Sequence, residues 1–222
     1  PSNGPDVPYE ISIQADGKIV IAGYRSNPGV IDDGVVMRLN SNGTFDNSFN
    51  STGVALVDFG SNGDYLYALR ILPDGKILAA GSAANFGPNR FALAKLNANG
   101  TPDTTFGTVG KVVTNLQATA NLNSITVQPD GRIVAGGQGS SGDIGEFALA
   151  RYNPNGSLDT SFGTGGVVTT DMGTAGDVIT AVLIQPDGKI VGVGTTYSFT
   201  IKWGLVRYQN VSRTSNFTDF DG

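Results

Sequence analysis

Aspartate precedes glycine and a base four times in this chain: Asp16-Gly17-Lys18, Asp74-Gly75-Lys76, Asp130-Gly131-Arg132 and Asp187-Gly188-Lys189. Four such pairs at regular intervals could form a ring of charge on one rim. Asp-Gly is also a strong hairpin signal, because Asp tolerates a turn and Gly takes positive φ. Turn chemistry with a solvated base is the reading these residues favour. A second basic series, Arg38, Lys95, Arg151 and Arg207, lies in apolar segments. It marks either a repeated ligand position or a repeated ion pair, Arg151 with Asp159 and Lys95 with Asp103. A charge in apolar surroundings needs a partner, which favours the pair. The segments Asn40–Asp46, Asn97–Asp103 and Asn153–Asp159 carry oxygen ligands at the odd spacing of a calcium loop. They lack its distal acid, and nested Asx turns explain them better. Asp219 and Asp221 are metal candidates by residue type.

Other chemistries are excluded by composition. There is no histidine and no cysteine, so imidazole bases, thiolate nucleophiles and the usual zinc ligands are absent. No nucleophile–base pair stands out, and a non-enzyme is expected. No cofactor is expected, and hard oxygen-ligand cations such as calcium remain possible. The net charge of −5 comes without a basic stripe, so no nucleic-acid partner is expected. No apolar run is long enough to span a membrane as a helix. No signal peptide is visible, and the start reads as that of a mature product or an excised fragment.

The elements that position these residues follow from a repeat. The Asp-Gly pairs stand 58, 56 and 57 residues apart, and such a period means a repeat architecture. In the third copy, residues 124–128 alternate as a strand and Pro129-Asp130-Gly131 turns the chain. Residues 132–136 return as a second strand. A variable loop follows, then a third strand at residues 147–152, apolar on both faces as in a sheet covered on both sides. The Asn-Gly connection carries a recurrent Phe (Phe49, Phe106, Phe162) that plugs the sheet end. A short fourth strand closes the unit at residues 54–57, 111–114 and 167–170. Four antiparallel strands in about 57 residues describe a propeller blade.

The expectation is therefore an all-β protein: a β-propeller of four blades in a single repeat domain, 1–222. The approximate blades are 9–58, 64–115, 121–171 and 177–222, the last incomplete. Fifteen of sixteen strands are supplied, so ring closure by self-association is one option.

These motifs resemble the bacterial delta-sixty repeat, whose pattern runs from a Pro-Asp-Gly-Lys hairpin through Phe-Ala-Leu-Ala-Arg-Tyr to Asn-Gly-Ser-Leu-Asp-Thr-Ser-Phe-Gly. Residues 124–170 match it almost throughout. The ending Phe217-Thr218-Asp219-Phe220-Asp221-Gly222 resembles the opening of an FG-GAP-type calcium repeat, as though the chain were cut from a longer protein. The resemblance implies a propeller-like module of exported or cell-surface bacterial proteins and no catalytic residues.

Binding on such a scaffold belongs in the variable loops. Tyr24 lies in the first; Phe86, Asn89 and Arg90 lie in the second; Tyr197 and Phe199 lie in the last. Trp203 aligns with Phe91 and Phe147 and is expected in the core. The leading expectation is a non-catalytic scaffold or adhesion surface with a protein or glycan partner. A lectin-like propeller is the alternative, and a propeller lyase or lactonase is a third reading.

Overall fold

The computed structural model describes residues 5–26, 32–84, 88–116, 120–140, 145–173, 176–197 and 200–210. Phe86, Phe199, Asp219 and Asp221 lie outside them. The described residues form fifteen strands. The chain divides into two compact units, Pro1–Thr114 and Asn115–Gly222.

The first unit holds two four-stranded antiparallel meanders. One is β1 (Asp6–Ile13), β2 (Ile19–Arg25), β3 (Asp33–Leu39) and β4 (Val54–Val57); the other is β5 (Gly63–Ile71), β6 (Ile77–Ala84), β7 (Arg90–Leu96) and β8 (Lys111–Thr114). In the second unit, β9 (Asn121–Val127), β10 (Ile133–Ser140), β11 (Gly145–Tyr152) and β12 (Val167–Thr170) form a third meander. A three-stranded one follows: β13 (Gly176–Ile184), β14 (Ile190–Tyr197) and β15 (Ile201–Tyr208). A single parallel bridge, Gly145 with Gly176, joins these last two into one seven-stranded sheet. The fourth strands fall where the sequence places them.

Local chemistry explains each hairpin. The carboxylates of Asp16, Asp74, Asp130 and Asp187 each accept a hydrogen bond at 3.1 Å from the backbone N–H two residues on. The glycine after each Asp takes φ between 79° and 84°, as a three-residue hairpin loop with a left-handed third position requires.

A second device was not expected. The first strand of every meander carries a bulge that skips one residue: Tyr9, Tyr67, Asn123 and Thr180. Opposite stands the glycine of the repeated hairpin motif. A Cβ on Gly23, Gly81, Gly137 or Gly194 would lie 1.8–2.1 Å from a carbonyl oxygen of that first strand. These glycines let two backbones approach, and the bulge re-aims the side chains next to them.

Each unit buries its own core between consecutive meanders. In the first, Val20, Ala22 and Val36 pack with Leu69, Ile77, Ala79 and Leu96. In the second, Val134, Phe147 and Leu149 pack with Ile179, Val182, Ile190 and Val206. Trp203 departs from the expectation: its counterparts Phe91 and Phe147 are fully buried, yet it is 91% exposed.

Candidate functional site

The repeated charges converge inward. In the first three repeats the third-strand base and the hairpin base meet on one aspartate. Arg38 donates to Asp46 at 2.7 Å, and Lys18 lies 3.0 Å from the same carboxylate. Lys95 and Lys76 share Asp103 at 3.7 and 2.9 Å. Arg151 and Arg132 share Asp159 at 2.8 and 3.2 Å. The hairpin base is thus a strut rather than a solvated charge. Each third-strand cation also stacks on the plugging Phe, Arg38 on Phe49, Lys95 on Phe106 and Arg151 on Phe162. Two of them reach into the following repeat, Arg38 to the Ala98 carbonyl and Arg151 to the Asn210 carbonyl. In the last repeat Lys189 instead pairs with Asp187 at 2.5 Å, and Arg207 is exposed.

The aspartates are fixed as anions. Hydrogen bonds from Ser48, with help from Lys18 and Arg38, outweigh burial and hold Asp46 well below the usual carboxylate range. At Asp103 and Asp159 burial pushes the carboxyl up, but bonds from Thr105 and Lys76, and from Ser161 and Arg151, outweigh it and hold both low. The connecting segments form Asx turns, with Asn42, Asn99 and Asn155 each accepting from the N–H two residues on.

The first unit presents something else at the end where the β2–β3 loop leaves. Tyr24 follows Gly23, while Tyr9 and Tyr67 are the two bulge residues. With Tyr65 they make one aromatic cluster. Tyr9 meets Tyr67 edge-on at 4.7 Å and Tyr24 stacked at 6.0 Å. Tyr24 meets Tyr65 edge-on at 4.9 Å, and Tyr65 stacks on Tyr67 at 6.2 Å. Tyr9 is 50% exposed. The Tyr65 hydroxyl donates to Asp32 at 3.1 Å. Burial, with the neighbouring phenols, pushes Tyr67 up to about 12.

Beside the rings, Asp33, Asp58 and Asp64 bring carboxylate oxygens within 4.8 Å of one another. Asp64 accepts from the Ser61 hydroxyl and from the Phe59 N–H at 2.7 Å. Its carboxyl is pushed up by burial, against those two donors, and further by Asp58 and Asp33. Asp33 is pushed up by burial and by Asp58. Three hard oxygens at this spacing are the donor type a divalent cation takes.

Of the residues named from sequence, Tyr24 is in this cluster. Asn89 and Arg90 lie at the start of β7, both half-buried, and Tyr197 ends β14 in the second unit, 44% exposed. Sequence reasoning missed Tyr9, Tyr65, Tyr67, Asp58 and Asp64. A signal was present: Asp58 and Asp64 share the spacing of Asp171 and Asp177, and Asp177 likewise accepts from the Met172 N–H at 2.9 Å. The cap recurs in both units, and Glu146 takes the register position of Asp33 in the second.

No curated protein matches the chain. Among solved structures it is similar to native Bacillus subtilis arabinanase Arb43A, at 13% identity over 99% of this chain and 81% of that one, with a TM-score of 0.49. It is also similar to Pyrococcus horikoshii acylaminoacyl peptidase, at 9% identity over 97% of this chain, with a TM-score of 0.49. The chain spans 33% of that peptidase's length. Neither enzyme's activity is carried over at such likeness. Residues 14–49, 72–106 and 128–162 match the model of a β-propeller domain of unknown function, DUF5122. Each match runs from a hairpin to its plugging Phe.

Proposed function

We propose that this chain is a non-catalytic propeller-type repeat module whose interaction surface is the tyrosine rim of its first unit. One observation carries the reading. The charges that recur in the first three repeats are consumed in internal struts, whereas the bulge positions, which share a backbone, differ in side chain. Tyr9 and Tyr67 stand where the second unit has Asn123 and Thr180. A shared scaffold with a local aromatic patch suits recognition of a partner. The exported or cell-surface setting rests on the sequence resemblance.

A carbohydrate partner is the second reading, favoured by phenol faces beside Asp32 and Asp33. Aromatic faces stack on sugar rings, and carboxylates accept from their hydroxyls. Calcium at Asp33, Asp58 and Asp64 would belong to this reading.

A glycan array probed with and without calcium tests both. Binding lost in Tyr9→Ala and Tyr67→Ala assigns a glycan-facing rim. A blank array in both conditions, with the variants still folded, assigns a protein-facing rim. Products released from an arrayed polysaccharide, and not released by Asp33→Asn, overturn the non-catalytic reading.

A further inference from the structure

The first and last described meanders expose opposite halves of one interface. Inside the second unit the third meander offers Val134, Phe147 and Leu149 to the meander that follows it. Phe147 lies over Gly204, where a Cβ would stand 2.7 Å from its ring, and packs with Ile179 and Val206. Register places Trp203, Leu205 and Arg207 of β15 where β11 has Phe147, Leu149 and Arg151. In β15 these side chains are bare: Trp203 is 91% and Leu205 37% exposed.

The receiving half lies at the first meander, where Pro8 is exposed and Ile21 and Met37 are half-buried. Register puts Pro8, Ile21, Gly23, Val35 and Met37 at the positions of Ile179, Gly192, Gly194, Gly204 and Val206. Those five residues line a pocket of about 220 Å³, together with Asp6, Val7 and Tyr24. Ile11 and Ile13 on the same face are 63% and 69% exposed, while their counterparts Leu69 and Ile71 pack into a core. The turn beside this face is also uncovered. A Cβ on Gly100 would meet the Phe49 ring of the preceding repeat at 2.8 Å, whereas one on the equivalent Gly43 would meet nothing within 4 Å.

We infer that a second copy of this chain docks head to tail, Trp203 of one copy filling the Pro8–Ile21–Val35–Met37 pocket of the next. The contact continues the sheet-on-sheet interface already present within each unit, with the same residue positions on both sides. Arg207 then reaches the Ser41 carbonyl of the second copy, as Arg38 reaches Ala98 and Arg151 reaches Asn210. An exposed Trp and Arg opposite an apolar pocket are the residue types that anchor interfaces. The contact uses different patches on its two sides, so its rotation decides between a closed ring and a filament.

Trp203 is the only tryptophan in the chain, so its emission reports the contact directly. Sedimentation velocity and tryptophan emission are followed together over a wide range of concentration. Growth of an oligomer, with a matching blue shift of emission, is the expected result. Trp203→Ala and Ile21→Glu, each with an unchanged circular dichroism spectrum, weaken association by at least about 30-fold. Mixing the two variants restores a single 1:1 dimer, because each retains the half that the other lacks. A monomer at all concentrations overturns the proposal. So does emission already blue-shifted at high dilution, which would put a cover from the same chain over Trp203. A shift produced only by added glycan would give that face to a sugar and overturn it too.

Discussion

The first strands of the meanders in the two units share one backbone and differ in what it displays. Both have the glycine-backed bulge, and both use the residue after it to grip the next repeat. Glu10 accepts from the Leu69 N–H at 2.9 Å, and Ser124 accepts from the Val182 N–H at 3.1 Å. At the bulge itself the first unit shows Tyr9 and Tyr67. The second shows Asn123, whose amide donates to the Ile179 carbonyl at 2.9 Å, and Thr180, which donates to the Val193 carbonyl. The amide and hydroxyl are turned back into the fold, while the phenols gather on one another. In a repeat protein, positions that keep their geometry and change their chemistry are where function separates from scaffold.

The sharpest test concerns the struts, which the comparison treats as equal. Arg38→Ala and Arg151→Ala each remove one of the two bases that share a buried aspartate, together with its stacking on the plugging Phe. Each should cost about 3–5 kcal/mol, read as a lowered urea midpoint. A large asymmetry between the two would break the equivalence of the units.

The bulge glycines come next. Gly23→Ala and Gly137→Ala place a methyl 2.1 and 1.9 Å from a carbonyl oxygen, and each should cost about 1–3 kcal/mol. In the first unit the same change should also weaken any ligand of the tyrosine rim, because Tyr24 follows Gly23. Binding untouched by Gly23→Ala would move the site away from the bulge.

Smaller effects belong to the rings. Tyr67→Ala should cost about 1 kcal/mol in lost edge and stacking contacts. Asn123→Ala should cost a similar amount through its hydrogen bond, but with no effect on partner binding.

Acid titration separates the strut aspartates from the Asp33–Asp58–Asp64 cluster by sign. Asp46, Asp103 and Asp159 have depressed folded pKa values. The stability they contribute is present above about pH 4 and is lost as pH falls below it. Asp33 and Asp64 in the first unit are raised. They oppose folding as pH climbs above about 4, since the folded state then holds the extra proton. Asp159→Asn should therefore flatten the acid limb of the urea midpoint. Asp33→Asn should raise the midpoint at pH 7 relative to pH 4. A calcium-dependent rise in the wild-type midpoint that Asp33→Asn removes would assign the three carboxylates to a cation.

Much of the scaffold was legible because it is local. The Asp-Gly turns, the Asn-Gly-x-x-Asp segments and the short fourth strands depend on contacts a few residues apart, so the one-dimensional pattern carries them. The pairing of Arg151 with Asp159 was legible for the same reason. The destination of the hairpin bases was not: Lys18 and Asp46 are separated by two strands and meet only after the meander forms.

The sequence by itself determined the repeat, the all-β class, the strand positions and the absence of imidazole and thiol chemistry, because period, turn chemistry and composition are properties of the chain. Tertiary structure decided which side chains became neighbours. Tyr9, Tyr24, Tyr65 and Tyr67 come from three strands. Asp33, Asp58 and Asp64 come from two meanders. Trp203 has the sequence of a core residue and the surroundings of a surface one, since burial depends on the sheet lying opposite, which a residue's own strand does not specify.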